Sequence, residues 1–354
     1  MSNNLVSNTI KVGEKNIGDG QPIYIMADLG LTNGGDLERT FNLIDLASSM
    51  GVDAVKFQMI GPDTLLGDKS IEYTYPTLND GPKTENMYEM FSKLNYSEDE
   101  WIKIAQYVRS KGIEFICTAH TIDAVPLLEK INVNIHKICT WSMTHKRLIQ
   151  EIGKTGKPLM LDTGMFTTQT LARTLDWHSE AGGRGVLILH DFHTTNHSQM
   201  NFRAIPYMKE FFGFPVGYTP QGRDNDMDYM AIGLGANILE KRLTVDRAIP
   251  QNGHIKALDP SEFYKWIQRV KELEQTLGFS TVLPTDDDRA TSKWAFKSLY
   301  LNCDVKKGDV ITDEMLSARR PGDGIQAFSV DQLCGRKVSK DIRKETKVLW
   351  ADLD

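Results

Sequence analysis

The sequence predicts an α/β protein built on a (β/α)8 TIM barrel, followed by a small β-rich domain. Strand-like and helix-like segments alternate eight times between residues 24 and 277, joined mostly by short connections. Strands that alternate with helices pair in parallel. Eight such units within about 255 residues fit a closed barrel better than an open doubly wound sheet. The open sheet is the alternative architecture.

The predicted barrel strands are short apolar runs, and several of them end in a polar residue. They are Tyr24–Leu29, Val52–Gln58, Glu114–Thr118, Ile135–Thr140, Pro158–Asp162, Val186–His190, Pro215–Thr219 and Asn237–Leu243. Ahead of them, Thr9–Val12 and Asn16–Ile17 predict a short hairpin around Gly13 that closes one end of the domain.

The predicted helices carry apolar residues at helical spacing or have clear end signals. They are Leu37–Met50, Glu98–Lys111, Thr121–Lys130, His145–Lys154, Thr168–Glu180, Phe202–Phe211, Asp226–Leu234 and Ser261–Leu277. Ser97 followed by three acidic residues is typical of a helix N-cap, and Gly112 of a helix end. Residues 60–97 are predicted to be a long irregular connection over one face of the barrel.

The predicted domains are a barrel domain over residues 1–280, a linker over 281–292 and a β-rich domain over 293–354. The linker contains a proline and an acidic run but no apolar period. In the last domain, Ser298–Cys303, Val310–Ile311 and Val348–Trp350 predict short strands. A domain of about 60 residues has marginal stability alone, so we expect it to pack on another surface.

Composition limits the partners of this chain. The net charge of −6 argues against a nucleic-acid partner; an anionic small-molecule substrate needs only a local basic pocket. The cysteines show no CxxC spacing, which predicts reduced core thiols in a cytosolic protein: Cys117, Cys139, Cys303 and Cys334. Met1–Gly13 lacks the apolar stretch of a signal peptide, and no apolar run reaches about 18 residues. We therefore expect a cytoplasmic protein with no membrane partner.

Polar and ionisable residues follow every predicted barrel strand, at the end where barrel enzymes bind their substrates. Any one of them could be a strand-end residue in contact with water, but together they predict a polar catalytic cup. They are Asp28; Lys56 and Gln58; Thr118 and His120; Lys137 and Thr140; Asp162 and Thr163; His190, Asp191 and His193; Tyr218, Thr219 and Gln221; and Glu240, Lys241 and Arg242.

Lys56 and Lys137 are the most informative members of the cup, because a lysine inside an apolar strand is costly unless its charge is paired. Together with Arg242 they suit a small polyanion such as a carboxylate or a phosphate. In the alternative interpretation each lysine forms an ion pair with a neighbouring barrel carboxylate, namely Asp28, Asp162 or Glu240.

A cluster of histidines lies in the segment L-H-D-F-H-T-T-N-H, which contains His190, Asp191, His193 and His197. Imidazole and carboxylate groups are suitable ligands for Mn, Zn or Fe. Neighbouring strand residues face opposite sides, so His190 and Asp191 cannot both bind one ion. The alternative is a loop of ordinary hydrogen-bonding histidines.

With these motifs the chain resembles the sialic acid synthase family, which condenses phosphoenolpyruvate with an amino sugar to make nonulosonic acids. V-D-A-V-K-F-Q (52–58) matches closely, and H-K-I-C-T (136–140), L-D-T-G-M (161–165) and L-E-K-R-L-T-V-D-R (239–247) match in part. A-D-L-G-L-T-N-G-G-D (27–36) lies where the family has a Glu-containing strand followed by Asn-His-Asn-Gly. A-R-R-P-G-D-G-I (318–325) resembles the motif of the family's antifreeze-like (SAF) domain.

The resemblance implies a barrel that holds phosphoenolpyruvate and a divalent metal, Mn or Mg, which orients and polarises a sugar aldehyde. The positions that match phosphoenolpyruvate contacts are Lys56, Thr118, Lys137 and Thr140. His190 matches one metal-binding histidine, and Gln221 lies where the second is expected. Arg320 matches an arginine that reaches the acceptor from a second subunit, which implies a domain-swapped homodimer.

Several positions depart from the family pattern. Asp28 replaces a Glu, Thr32-Asn33-Gly34 replaces Asn-His-Asn, Gln221 a metal histidine, Asp162 a serine that holds phosphoenolpyruvate, Ser142 an acceptor-binding Glu, and Arg242 a histidine. A carboxylate beside a phosphate is repulsive unless it is paired or protonated. Asp191 or His193 could complete the metal site. The departures together indicate that the acceptor, the donor or the reaction has changed.

The leading interpretation is a transferase that joins phosphoenolpyruvate to an altered sugar aldehyde. In it, Asp28, Lys56, Lys137 and Asp162 are catalytic; Gln58, Thr118, Thr140, Ser142, Thr163, Arg242 and Arg320 bind substrates; and His190 and Gln221 bind the metal. The first alternative is an aldolase, lyase or isomerase that does not use phosphoenolpyruvate. It could include a Schiff base on Lys56 or Lys137 if burial lowers the lysine pKa. The second alternative is a non-catalytic sugar-binding protein, although that protein would have no reason to keep so many costly ionisable groups.

Overall fold

The structure is a computed structural model that describes residues 8–278 and 281–354. Residues 1–7, part of the stretch that the signal-peptide prediction concerns, and residues 279–280, at the predicted domain boundary, lie outside the described residues. The chain forms two compact units, the first ending at Gly278 and the second running to Asp354.

The first unit contains an eight-stranded parallel barrel and two short hairpins. Its strands are β1 (Thr9–Val12), β2 (Lys15–Gly18), β3 (Tyr24–Asp28), β4 (Ala54–Met59), β5 (Glu72–Pro76), β6 (Pro82–Asn86), β7 (Glu114–Ala119), β8 (His136–Ile138), β9 (Leu159–Asp162), β10 (Val186–His190), β11 (Val216–Tyr218) and β12 (Ile238–Arg242). The barrel closes in the order β3-β4-β7-β8-β9-β10-β11-β12, with β12 paired to β3. The predicted (β/α)8 barrel is therefore confirmed and the open sheet is wrong.

The helices of the first unit lie between the strands and after the last one. They are α1 (Leu37–Met50), α2 (Pro62–Leu65), α3 (Met87–Lys93), α4 (Glu98–Ser110), α5 (Ala124–Ile131), α6 (Lys146–Lys154), α7 (Thr168–Glu180), α8 (Ala204–Phe212), α9 (Asn225–Gly233) and α10 (Pro260–Leu277). End signals place several boundaries. Ser97 and Glu100 form a capping box at the start of α4, as the acidic first turn predicted.

Side chains that face the barrel interior form an apolar layer in its lower half. The layer includes Met26, Ala54, Ile116, Met160, Leu187 and Ile238. Ile10, Val12 and Ile17 of the β1–β2 hairpin belong to the same buried cluster. The predicted hairpin therefore forms, and it closes the N-terminal end of the barrel. Binding chemistry is left to the C-terminal ends of the strands.

The connection over residues 60–97 is more regular than predicted. It contains α2, the antiparallel β5–β6 hairpin and α3. The sequence prediction failed here because the hairpin strands are mostly exposed and lack an apolar alternation; only Tyr75 of β5 is buried. Its antiparallel backbone ladder is accompanied by side-chain hydrogen bonds, including one between the hydroxyls of Thr74 and Thr84 at 2.8 Å.

The second unit has its own small apolar core. Its elements are α11 (Asp286–Ala295), β13 (Ser298–Leu301), β14 (Leu316–Arg319) and α12 (Val330–Leu333). β13 pairs with β14, a strand that the sequence prediction missed. Val310 forms only an isolated bridge, and Val348–Trp350 contains no strand residue, so two of the predicted strands are wrong as strands. Short β-segments in such a unit carry too few residues to show a period.

The predicted linker, residues 281–292, contains most of α11. Apolar periodicity could not reveal this helix, because none of its residues is buried. The Thr285 and Asp288 side chains form a capping box that satisfies the backbone N–H groups at its start. Capping and helix propensity therefore account for this segment.

Two further expectations concern the whole chain. No helix in the described part of the chain is long and apolar enough to cross a membrane. All four cysteines are free, and Cys117 is buried as predicted, but Cys303 is exposed. The expectation of core thiols is therefore wrong for Cys303.

We expect Gly217→Ala to destabilise the barrel. A Cβ at Gly217 on β11 would lie 2.6 Å from Ile238 Cβ and 2.6 Å from Leu189 Cδ2, inside a packed layer. Overpacking of this kind costs about 1–3 kcal/mol, measured as the free energy of unfolding in urea. Gly233→Ala is the matched control, because a Cβ there meets nothing within 4 Å. Equal losses in both variants would contradict the packing argument.

Candidate functional site

Charged side chains replace the apolar layer at the C-terminal end of the barrel. On three adjacent strands, Arg242, Asp28 and Lys56 stand in register, so their side chains lie side by side. On β3 and β4 the residues two positions earlier, Met26 and Ala54, belong to the apolar layer. The two-residue period of a strand therefore places these charges inside the barrel mouth.

We call six of these side chains the charged cluster: Asp28, Lys56, Lys137, Asp162, Glu240 and Arg242. Five are at most 5% exposed, and the Arg242 side chain is 18% exposed. Charges this deeply buried are tolerated only when they are paired.

Glu240 is the centre of the charged cluster. Its Oε1 lies 2.9 Å from Lys56 Nζ, and Lys137 Nζ donates to its Oε2. The sequence analysis placed Glu240 in the polar cup and named it as a possible partner of a lysine, but did not assign it a catalytic, substrate-binding or metal-binding role. The signal was present, since Ile238, Glu240 and Arg242 alternate on β12 and must face the same side.

Asp28 joins the remaining cations to this centre. Its Oδ1 lies 2.7 Å from Lys56 Nζ and accepts a 2.9 Å hydrogen bond from the Gly30 N–H. Its Oδ2 accepts from Arg242 Nε at 3.1 Å. Burial alone would raise the pKa of Asp28, but the charges of Lys56 and Arg242 hold it well below its usual range. Asp28 is therefore a carboxylate.

Both lysines are ammonium ions in this setting. Burial alone would lower the pKa of each, but the facing carboxylates raise it: Asp28 and Glu240 for Lys56, and Asp162 and Glu240 for Lys137. The condition for a Schiff-base lysine, a pKa lowered by burial, is therefore not met. The alternative expectation that each lysine pairs with a barrel carboxylate is confirmed.

Two carboxyl groups on the far side of the mouth titrate near neutrality. Burial, opposed in part by Lys137 at 3.2 Å, raises the pKa of Asp162 to about 7. Burial likewise raises the pKa of Asp191 to about 6. Asp191 Oδ1 accepts a 2.6 Å hydrogen bond from Gln221 Nε2, and its Oδ2 lies 3.5 Å from His193 Nε2. The mouth thus changes its net charge between mildly acidic and mildly basic conditions.

Four predicted substrate-binding residues lie around the mouth: Gln58, Thr118, Thr140 and Ser142. Thr118 stands in register between Gln58 and Lys137. The buried hydroxyl of Thr140 has no hydrogen-bond partner among the described residues. Ser142 is buried, with its Oγ 4.0 Å from Cys139 Sγ. Thr118, the cross-strand neighbour of Lys137, therefore keeps a position that a ligand of Lys137 could use.

The structure places His190 and Thr163 away from the charged cluster. The His190 ring faces the helical layer, in ring contact with Phe202 and Tyr218, and its Nε2 lies 2.8 Å from the Met200 carbonyl oxygen. The Thr163 hydroxyl donates to the Leu189 carbonyl at 3.1 Å. Both assignments are wrong for the same reason: each residue is next to an inward-facing aspartate, and strand alternation turns it outward.

The predicted metal pair does not assemble. His190 faces outward, and the Gln221 amide is engaged with Asp191. Within residues 8–278 and 281–354, no three His, Cys, Asp or Glu side chains are grouped so that they could hold a metal ion. Asp191 or His193 was expected to complete the site beside His190. Asp191 instead accepts from the Gln221 amide and lies 3.5 Å from His193 Nε2, while His190 contacts the Met200 carbonyl. The residues present therefore do not fit the implied Mn or Mg site.

Arg320 lies in the second unit, where it is exposed. Its Nε donates to the Ala295 carbonyl at 2.9 Å, and its guanidinium lies 5.8 Å from the centre of the Trp294 ring. Its reach to an acceptor in a partner subunit, and the swapped homodimer, stay predictions.

We expect Glu240→Gln to be strongly destabilising, because it leaves Lys56 and Lys137 without their shared carboxylate. Breaking a buried ion pair costs about 3–5 kcal/mol, measured by urea unfolding near neutral pH. Glu272→Gln is the matched control: its partner Arg269 lies 3.0 Å away, but both side chains are more than half exposed. The exposed pair contributes about 0–1 kcal/mol. A small loss in Glu240→Gln would show that the lysines find other partners.

Asp162→Asn is expected to change the pH dependence of stability. The pKa of Asp162 is about 7 in the folded protein against 3.8 as its ordinary value, so the folded state holds its proton longer. Stability from this group is therefore lost as pH rises between those values. The variant should unfold at higher urea than the parent at about pH 8 but not at about pH 4. Asp80→Asn, in an exposed turn, should show no such difference.

Two family profiles and several known proteins match this chain. The NeuB family profile matches residues 43–281, and the SAF domain profile matches residues 296–354. An uncharacterized protein of Methanocaldococcus jannaschii is 30% identical over 97% of this chain and 98% of its own. The N,N'-diacetyllegionaminic acid synthase of Legionella pneumophila is 28% identical over 97% of this chain and 98% of its own.

The fold is also similar to that of a solved structure. The N-acetylneuraminic acid synthetase of Leptospira borgpetersenii, solved with citrate, superposes with a TM-score of 0.71 at 22% identity. The match covers 81% of this chain and 96% of that one. With a family profile over two thirds of its length and a relative at 30% identity over nearly all of it, the chain belongs to the NeuB family and ends in an SAF domain.

Proposed function

We propose that this chain condenses phosphoenolpyruvate with a sugar aldehyde to form a nonulosonic acid, using an altered acceptor. The observation that carries the proposal is the pair of buried ammonium groups, Lys56 and Lys137, at the barrel mouth beside Thr118. The relative named as a legionaminic acid synthase supports the same class of product.

The reaction balances with water as the third reactant. C3 of phosphoenolpyruvate forms a bond to the aldehyde carbon, and water replaces phosphate at C2, where its oxygen becomes the new keto oxygen. One proton of that water ends on the new alcohol and the other on the released phosphate. The chain's part is to hold the donor's carboxylate and phosphate against fixed cations.

The charge of the mouth supports donor binding in one protonation state. Lys56, Lys137 and Arg242 supply three positive charges, and Asp28 and Glu240 supply two negative ones. With the nearby Asp162 and Asp191 protonated, one positive charge is left. With both ionised, the balance of these seven groups becomes one negative charge, which weakens the attraction for an anionic donor. The donor therefore binds to the protonated form.

The acceptor side of the mouth supports a changed sugar. Ser142, in the position of an acceptor-binding carboxylate, is a small buried hydroxyl. It cannot accept the charge-assisted hydrogen bonds that a Glu would offer. In this proposal Arg320 from the second unit of a partner chain contributes to acceptor selection.

The test is phosphate release from phosphoenolpyruvate with N-acetylmannosamine and a panel of related sugar aldehydes. Turnover is expected with at least one acceptor, and Lys137→Met should reduce it by about 100-fold or more. Lys265→Met, at an exposed position on α10, should leave it unchanged. The KM for phosphoenolpyruvate should rise as pH passes about 7, the pKa of Asp162, because its carboxylate then faces the donor.

Asp162→Ser restores an uncharged side chain at this position and should flatten that rise in KM. No turnover with any acceptor, together with no phosphoenolpyruvate binding by calorimetry, would remove the proposal. Binding without turnover would favour the non-catalytic alternative.

A further inference from the structure

We infer that the mouth works without a bound divalent cation, and that the Arg242 guanidinium, oriented by Asp28, takes the role of stabilising negative charge on the acceptor's aldehyde oxygen. This inference rests on the proposed function and specifies how the same site handles its acceptor. The first step concerns the ligands that a cation would need, and the second the side chain that takes its place.

The imidazole expected to bind a metal is enclosed elsewhere. His190 packs against Phe192, Phe202 and Tyr218, with ring centroids at 4.4, 5.5 and 6.1 Å. Its Nε2 is 2.8 Å from the Met200 carbonyl oxygen. Bringing this ring into the mouth would require the strand to turn over, since alternation fixes the side on which it lies.

The other donors near the mouth are already engaged. Asp191 uses one oxygen to accept from Gln221 and presents the other to His193. A resident cation would have to break these contacts, since Asp191 and His193 are both already engaged. The side chains at this place therefore do not fit a divalent ion.

Arg242 is both accessible and held in a fixed orientation, as stabilisation of charge on the aldehyde oxygen requires. Its side chain is 18% exposed, against 5% for Lys56 and 1% for Lys137, so it is the most accessible cation of the charged cluster. Its Nε is fixed by Asp28 at 3.1 Å. Neither terminal nitrogen has a hydrogen-bond partner in the described part of the chain, so both can donate to an incoming oxygen.

The chemistry of guanidinium suits this task. When C3 of the donor attacks the aldehyde, negative charge develops on the aldehyde oxygen before it takes up its proton. Preorganised donors aimed at such an oxygen stabilise the transition state strongly. A guanidinium stays charged at every working pH and presents its donors in a fixed plane. Asp28 acts here as the positioning residue, because it holds the plane of Arg242.

The first experiment measures the cation directly and needs no turnover. Purified, dialysed full-length protein is analysed for metals by plasma mass spectrometry and titrated with Mn²⁺ by calorimetry. The expected result is substoichiometric metal and no saturable Mn²⁺ heat. One tightly bound metal per chain, or saturable binding of one Mn²⁺, would overturn the inference.

The second experiment concerns Arg242. Arg242→Gln should lower kcat by about 100-fold with a smaller effect on the KM for phosphoenolpyruvate, and turnover of the parent should be equal with and without EDTA. Arg269→Gln, in an exposed pair on α10, should behave like the parent. Methylguanidinium should partly restore Arg242→Ala, a readout that a merely structural role would not move.

Unchanged kcat in Arg242→Gln, or loss of parent turnover in EDTA, would overturn the inference. Arg242→Lys keeps a cation beside Asp28 and replaces Arg242→Gln if that variant fails to fold; a kcat equal to the parent's would then count against a role for the guanidinium plane. Absence of turnover with every acceptor overturns the proposed function and the role of Arg242 with it, whereas the Mn²⁺ titration decides the cation question alone.

Discussion

A single carboxylate, Glu240, holds two buried ammonium groups at one end of the barrel. Lys56 and Lys137 come from strands that are not neighbours in the barrel, and Glu240 is the carboxylate that both of them contact. The pairing of Asp28 with Lys56 and Arg242 extends the same network to the rim. The mouth is thus a network of ion pairs, and its affinity for an anion depends on the balance of positive and negative charges in that network.

This balance distinguishes the mouth from an open basic pocket. Its lysines are already neutralised, so an incoming anion must compete with internal carboxylates instead of meeting free cations. A ligand gains most where groups are not yet satisfied, as at the terminal nitrogens of Arg242. Ligand recognition therefore depends on two sets of groups: the buried, preorganised ion pairs, and the groups at the rim that can still form hydrogen bonds. Membership of the NeuB family alone does not describe such a site.

The sequence revealed most of the barrel because its signals are local. The boundaries of α1 and α7 follow from apolar spacing and caps, and Asp28, Lys56 and Lys137 follow from charge at the ends of apolar strands. Motif matching alone could not place His190, whose ring turns outward by strand alternation. It also could not show the central role of Glu240, which depends on contacts between distant strands. Helix α11 was the hardest element to predict from the sequence, because it has a capping box but no apolar periodicity.

The β1–β2 hairpin at the N-terminal end of the barrel is in contact with residues that are synthesised much later. Asp19, just after the β1–β2 hairpin, accepts from Lys209 and from Asn237 Nδ2, the latter at 3.0 Å. During synthesis, Ile10, Val12 and Ile17 must therefore wait for more than two hundred further residues before their burial is complete. Such distant pairing slows folding. The apolar side chains of this hairpin are consequently exposed while the chain is still on the ribosome. Such exposed apolar segments are typical substrates of chaperones that act early in translation.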